Sequence, residues 1–113
     1  MSPNAPTPVP SADDQTETLR YAEHLLRVCR WTEARTVLHR LAITTPGVTR
    51  YRVLLSYARG EEARERGDLD RARNEWRHAL LLDPNFVDAK TALSRARRTT
   101  LVGRLFGKLR GKA

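Results

Sequence analysis

The sequence contains a single cysteine, Cys29, so no disulfide can form within the chain. One cysteine is typical of proteins kept in a reducing compartment, and we expect a cytoplasmic location. The first ten residues have neither the basic start nor the apolar run of a secretory signal peptide. No stretch approaches the run of about 18 apolar residues that a membrane span requires. These absences predict a chain that is neither secreted nor inserted in a membrane.

Residues able to support catalysis are also few. The three histidines, His24, His39 and His78, are scattered along the chain. His24 and Cys29 are five residues apart, a spacing that does not place them on one face of a helix. No metal-ligand spacing, phosphate-binding loop or glycine-rich nucleotide motif occurs. We therefore predict a protein that is not an enzyme and that needs neither a metal nor another cofactor.

Acidic residues are absent after Asp88, whereas eight basic residues follow it. The other 13 of the 21 Lys and Arg balance the 13 Asp and Glu, so the net charge of +8 belongs to the C-terminal quarter. Arginine far outnumbers lysine, which we attribute to a GC-rich genome rather than to recognition of nucleic acid. Nucleic acid is therefore the least favoured partner.

The stretch from Gly67 to Pro84 has the signals of a complete helix. Gly67 can adopt the left-handed conformation that ends a preceding helix, and Asp68 can cap the next one. The residue before Pro84 is disfavoured in the helical conformation, so the helix should end near residue 82 or 83. Apolar residues between these signals recur at spacings of three and four and line one face: Leu69, Ala72, Trp76, Ala79 and Leu80. We expect Trp76 to be buried between the helices of this unit.

Half of this pattern occurs earlier in the chain. In both copies an alanine precedes a large apolar residue by four positions, and a proline follows eight positions later: Ala34, Leu38 and Pro46, then Ala72, Trp76 and Pro84. The copies are about 38 residues apart, and the pattern resembles the tetratricopeptide repeat, a helix–turn–helix unit of about 34 residues. The resemblance covers roughly residues 18–98.

In the first helix of each unit the resemblance depends on residue size. The large, small and large positions of the first unit are filled by Tyr21, Ala22 and Leu25. Gly60 fills the small position of the second unit. The large positions of the second unit carry instead Ser56, Arg59 and Ala63. The second unit is about four residues longer, so we expect its first helix to have one additional turn.

The resemblance implies an all-α fold, a short right-handed array of two helical hairpins plus a capping helix. We expect helices to span about residues 14–29, 32–44, 48–66, 69–82 and 85–98. Trp31 and Thr32 should form the first turn, and the charged run Gly60–Arg66 should face solvent. The predicted domain organisation is a disordered, proline-rich N-terminus (1–12), a helical domain (13–98) and a basic amphipathic tail (99–113).

Tetratricopeptide arrays bind peptides along a groove formed by their first helices, so the resemblance implies a partner groove. Its positions in this sequence are Leu19, Glu23, Leu26 and Arg27 in the first unit and Leu54, Tyr57, Glu61 and Arg64 in the second. The alternative is that Leu19 and Leu54 belong only to the core. One version of the family uses Lys and Asn to hold a C-terminal carboxylate of chaperones; that pair is absent here, and we do not expect the clamp.

The tail combines an apolar side with basic residues. We predict that it docks through Leu101, Arg104, Leu105, Phe106, Lys108, Leu109 and Arg110. Its three glycines each cost about 1 kcal/mol relative to alanine in a helix, so we expect it to fold on docking. The surface it meets could be an anionic membrane, a protein such as a second copy of this chain, or nucleic acid; a solvated, frayed tail is the remaining alternative.

Together these patterns predict a protein–protein interaction module that acts as an adapter or assembly factor. A partner peptide or helix would bind in the groove, with the tail as a second docking element. The alternative function is a peripheral module that binds anionic lipid at a membrane surface through the tail.

Overall fold

The computed structural model describes the backbone of residues 11–110 and the side chains of residues 11–98. Five helices occupy most of this region: α1 (Ala12–Arg27), α2 (Trp31–Thr44), α3 (Thr49–Glu65), α4 (Leu69–Leu82) and α5 (Val87–Arg110). No strand occurs among residues 11–110. Each helix packs against the next, so α1–α2 and α3–α4 form two hairpins and α5 packs on α4. The predicted all-α array is confirmed.

Local side-chain signals set the ends of α1 and α4. The hydroxyl of Ser11 accepts a hydrogen bond from the backbone N–H of Asp14 at 3.2 Å. The carboxylate of Asp68 accepts one from the backbone N–H of Arg71 at 3.1 Å. Gly67, just before this cap, has a φ of +83°, the left-handed conformation predicted for it. The predicted bounds of α4 are therefore confirmed.

Trp76 fills the centre of the second hairpin. Its side chain is 0% exposed, as predicted. Gly60 of α3 lies against the indole, and a Cβ built on Gly60 would clash with Nε1 and Cδ1 of Trp76. The indole N–H has no hydrogen-bond partner among the described residues. The indole of Trp76 leaves no space for a Cβ at position 60, so a glycine is required there. This glycine allows α3 and α4 to pack closely.

Trp31 lies in α2 and not in the turn, contrary to the prediction. It is the first residue of α2 and is only 6% exposed. The chain turns just before it, where Cys29 has a φ of +60°. The Trp31 ring packs edge-on against Tyr57 at 6.0 Å between centroids, and Tyr57 packs edge-on against Phe86 at 5.4 Å. Burying the indole against Tyr57 of α3 favours this position over an exposed turn.

The run Gly60–Arg66 does not face solvent as a whole, which is a second wrong prediction. Its first four residues are buried, with Glu61 6% and Glu62 8% exposed. Nε of Arg35, from α2, lies 3.1 Å from Glu62, and Nε of Arg64 lies 3.0 Å from Glu61. Arg35 and its neighbours outweigh the burial of Glu62, whereas Arg64 offsets the burial of Glu61 only in part. The charge pattern alone does not reveal a partner that lies 27 residues away.

Helix α5 does not end at Arg98, where the helical domain was predicted to end. Ala89, Ala92 and Ala96 pack its first part against the core, and Phe86 is buried just before the helix begins. The helix then continues to Arg110 through the segment predicted to be a separate tail. The side chains beyond Arg98 lie outside the described residues, as do residues 1–10 and 111–113, so the docking roles of the tail and the disorder of the N-terminus stay predictions.

Candidate binding groove

A cleft of about 270 Å³ lies where α1, α3 and the start of α5 meet. We call it the α1–α3 cleft. Leu26, Leu54 and Tyr57 supply its apolar lining. Around them stand two carboxylates and two guanidiniums, those of Glu23, Asp88, Arg27 and Arg50. The cleft therefore offers a narrow apolar surface with charges of both signs beside it.

A second cleft, of about 370 Å³, lies farther along α3, between α3, α4 and α5. We call it the α3–α5 cleft. Its apolar lining comes from four residues, Leu69, Trp76, Ala92 and Ala96. Glu61, Arg64 and Arg95 provide the charged lining. Two of the four apolar residues are alanines, so the apolar side chains of α5 in this cleft are short.

Seven of the eight predicted groove positions line these two clefts. Glu23, Leu26, Arg27, Leu54 and Tyr57 lie together in the α1–α3 cleft, and Glu61 and Arg64 lie in the α3–α5 cleft. Leu19 lines neither cleft and packs against the edge of the core. Leu54 is also a core residue, only 2% exposed, so it belongs to both the core and the cleft.

The sequence reasoning missed the residues that α5 contributes. Asp88 lines one cleft, and Ala92, Arg95 and Ala96 line the other. The resemblance assigned groove positions to the first helices of the two hairpins only, and α5 was treated as a cap. The signal that could have found these residues is the place of α5 in the order of helices. A helix that follows a second hairpin lies where the first helix of a third unit would lie.

Burial shifts the pKa of two groove side chains, Tyr57 and Glu61. Burial raises the pKa of the Tyr57 hydroxyl, and the nearby Glu61 and Asp88 carboxylates raise it further. Tyr57 is therefore a neutral phenol that can donate a hydrogen bond. Burial also raises the pKa of Glu61, although its hydrogen bond with Arg64 acts in the opposite direction.

Aromatic side chains pack beside the α1–α3 cleft, and one of its arginines contacts them. The guanidinium of Arg50 lies 6.0 Å from the centroid of the Phe86 ring, at the start of α5. Phe86 in turn packs against Tyr57, whose ring contacts Trp31. Tyr57, which lines the α1–α3 cleft, is thus held between two buried rings, Trp31 at the start of α2 and Phe86 just before α5.

One pair in the chain has the residue types of a nucleophile and a base. The hydroxyl of Ser56 and Nδ1 of His78 are 2.7 Å apart and share a hydrogen bond. Ser56 is only 2% exposed, so a substrate could not reach its oxygen. The hydrogen bond instead ties α3 to α4. Among the described residues, no group of three or more His, Cys, Asp or Glu side chains could hold a metal ion.

The helices of residues 11–110 include none with the length and apolar character that crossing a bilayer requires. No protein-family model matches the chain, and neither the curated proteins nor the solved structures include a significant match.

Proposed function

We propose that this protein is a non-enzymatic interaction module of the tetratricopeptide type, which binds an extended or helical segment of a partner protein in the groove. The observation that supports this proposal is the α1–α3 cleft, in which side chains from α1, α3 and α5 converge. Such convergence makes one continuous surface out of helices that are distant in sequence. An adapter or assembly factor in a reducing, cytoplasmic compartment is the role that fits this surface.

The lining of the cleft indicates the chemistry of the partner segment. Leu26 and Tyr57 offer an apolar contact, and the neutral Tyr57 hydroxyl can donate to a backbone carbonyl. Arg27 and Arg50 stand on the same surface as Glu23 and Asp88. The partner segment should therefore carry a central apolar residue between charges of opposite sign, with the apolar contact providing affinity and the charges providing orientation.

The test uses peptides selected from a random display library against the purified full chain. Affinity of the selected peptides should fall at least tenfold in the double variant Arg27→Glu, Arg50→Glu. The matched control is Arg40→Glu, Arg77→Glu, which reverses two exposed arginines that line neither cleft. Circular dichroism should show equal helicity for both variants. Equal affinity for the two double variants would place the binding site elsewhere.

The continuity of α5 favours a second candidate, the membrane-surface module. The helix carries the basic tail to Arg110 with no break after the helical domain. A helix continuing through Leu101, Leu105 and Leu109, spaced four residues apart, is the pattern of a segment that lies on a bilayer. Intact chain should then co-sediment with vesicles that contain anionic lipid, and a chain ending at Arg98 should not. If neither chain binds to neutral or to anionic vesicles, this candidate is removed.

A further inference from the structure

A third cleft lies on the side of α3 that faces away from the groove. At 3.6 residues per turn, Arg59, Ala63 and Arg66 fall opposite the groove positions of α3. The cleft measures about 820 Å³, within the range of about 300–1,000 Å³ typical of ligand pockets. Seven of its eight lining residues are charged, and four of them are arginines: Arg35, Arg59, Glu62, Ala63, Arg66, Asp68, Arg71 and Glu75. We call it the arginine cleft.

Glu62 organises one wall of the arginine cleft. Nε of Arg35 lies 3.1 Å from both carboxylate oxygens of Glu62, and Nη2 of Arg66 lies 3.7 Å from one of them. Burial raises the pKa of Glu62, but hydrogen bonds from Thr32 and Arg35 and the charges of Arg35 and Arg66 outweigh it, so the pKa is lowered. One carboxylate therefore pairs with two guanidiniums, closely with Arg35 and more loosely with Arg66, and the three groups together keep one positive charge.

Two further guanidiniums in the cleft have no ion-pair partner among the described residues. Within residues 11–98, the side chains of Arg59 and Arg71 make no ion pair or hydrogen bond. Asp68 makes no ion pair with either guanidinium among the described residues; one of its carboxylate oxygens accepts from the backbone N–H of Arg71 at the helix cap. Glu75 stands four residues after Arg71 on α4, a spacing that normally allows an ion pair, yet the two do not pair. The donors of Arg59 and Arg71 are thus left for water or for a ligand.

We infer that the arginine cleft binds a multiply charged phosphate group. A guanidinium presents N–H donors in a planar fork that matches two oxygens of a phosphate, and Arg59 and Arg71 would each donate in this way. The Arg35–Glu62–Arg66 group adds a fixed positive charge on the adjoining wall. The shared chemistry is a dianionic phosphate, either in a small diphosphate or on a phosphorylated side chain.

The first test is calorimetric titration of the full chain with pyrophosphate at constant ionic strength. The variant Arg59→Gln, Arg71→Gln should bind at least tenfold more weakly than the parent. The matched control is Arg40→Gln, Arg77→Gln, which removes the same number of charges from exposed positions outside the cleft, and should bind within twofold of the parent. No binding by the parent, or equal losses in the two variants, would overturn the inference.

The second test uses Glu75, the lining carboxylate that neither pairs with an arginine nor caps a helix among the described residues. Glu75→Gln removes a negative charge from the cleft lining and should tighten pyrophosphate binding several-fold. Unchanged or weaker binding would contradict the assignment. Separate titrations with O-phosphoserine and with pyrophosphate identify the source of the phosphate by the tighter ligand. Sulfate at the same ionic strength should bind more weakly than either, and equal binding of sulfate would count against a phosphate site.

Discussion

The two hairpins meet the same packing requirement with different pairs of residues. In α1–α2 the corresponding small and large positions hold Ala22 and Leu38, and in α3–α4 they hold Gly60 and Trp76. All four residues are buried. The hairpin with the larger side chain has the smaller partner, because protein interiors are close-packed and the two helices must fit around their combined volume. In α3–α4, where position 60 lies directly against the indole of Trp76, the spacing of the helices depends on both residues together.

Loss of Trp76 should change the stability of the protein more than any other variant that tests the two hairpins. Trp76→Ala should lower the free energy of unfolding by about 3–5 kcal/mol, since it leaves a large cavity in the second hairpin. A domain of this size has only about 5–15 kcal/mol of stability in total. Leu38→Ala is the matched variant in the first hairpin and should cost less, because it removes fewer atoms. Urea denaturation measures both, and a Trp76→Ala variant that melts within a few degrees of the parent would contradict the packing described.

Enlarging residue 60 should lower the free energy of unfolding by less than the loss of Trp76, and the size of this effect should depend on the residue at position 76. Gly60→Ala should destabilise the parent by about 1–3 kcal/mol through overpacking against Trp76. In a Trp76→Leu background the indole is gone, and Gly60→Ala then gives the second hairpin the same Ala and Leu pair as the first. There Gly60→Ala should raise the free energy of unfolding by up to about 1 kcal/mol through helix propensity.

Denaturation of the four chains of this double-mutant cycle gives the coupling between the two positions. A cost of Gly60→Ala that is the same in both backgrounds would show that the two positions do not act as a pair.

The neighbouring carboxylates Glu61 and Glu62 of α3 should have smaller effects on stability, and these effects should change with pH in opposite directions. The pKa of Glu62 is lowered in the fold, so its interactions stabilise above the unfolded pKa and are lost as pH falls through the folded pKa. Glu62→Gln should therefore cost about 1–2 kcal/mol at neutral pH and nothing in acid.

Glu61 is the matched control for this measurement. Because burial raises its pKa, ionisation of Glu61 opposes folding, and acidification relieves that cost. Glu61→Gln should consequently be tolerated at neutral pH, unlike Glu62→Gln. Stability measured across the acid range compares the two variants, and parallel pH profiles would contradict the difference between them.

Removal of residues 99–113 should have the smallest effect on stability. The hairpins and the first part of α5 supply the described core, so a chain ending at Arg98 should keep its helicity per residue and nearly its full melting temperature. Circular dichroism with thermal melting makes this measurement. Unfolding of the shortened chain would mean that the apolar residues of the tail belong to the core.

The features that the sequence predicted correctly depend on signals that are local along the chain. The bounds of α4 follow from signals within a few residues of its ends, namely Gly67, Asp68 and Pro84, and local signals are visible in a sequence. The buried Trp76 follows from periodicity and from small residues on its stripe. Both features depend on residues that are close together along the chain.

The features that could not be predicted depend on partners from distant helices. Glu62 is buried because Arg35 of α2 reaches it, and Trp31 is buried because Tyr57 of α3 covers it. A charged run and an aromatic residue beside a turn do not reveal such partners. The groove positions of α3 came from a family resemblance, whereas the contribution of Asp88 and Arg95 depends on how α5 packs.

Each hairpin also contains one tryptophan, and this distribution makes the protein its own optical probe. The indole N–H groups of Trp31 and Trp76 are both buried, without hydrogen-bond partners among residues 11–98. Such indoles emit at short wavelength, and their emission shifts to the red when water reaches them. Single-tryptophan variants, made with phenylalanine at the other site, would therefore report separately on the two halves of the chain. Coincident transitions would show that the hairpins unfold as one cooperative unit.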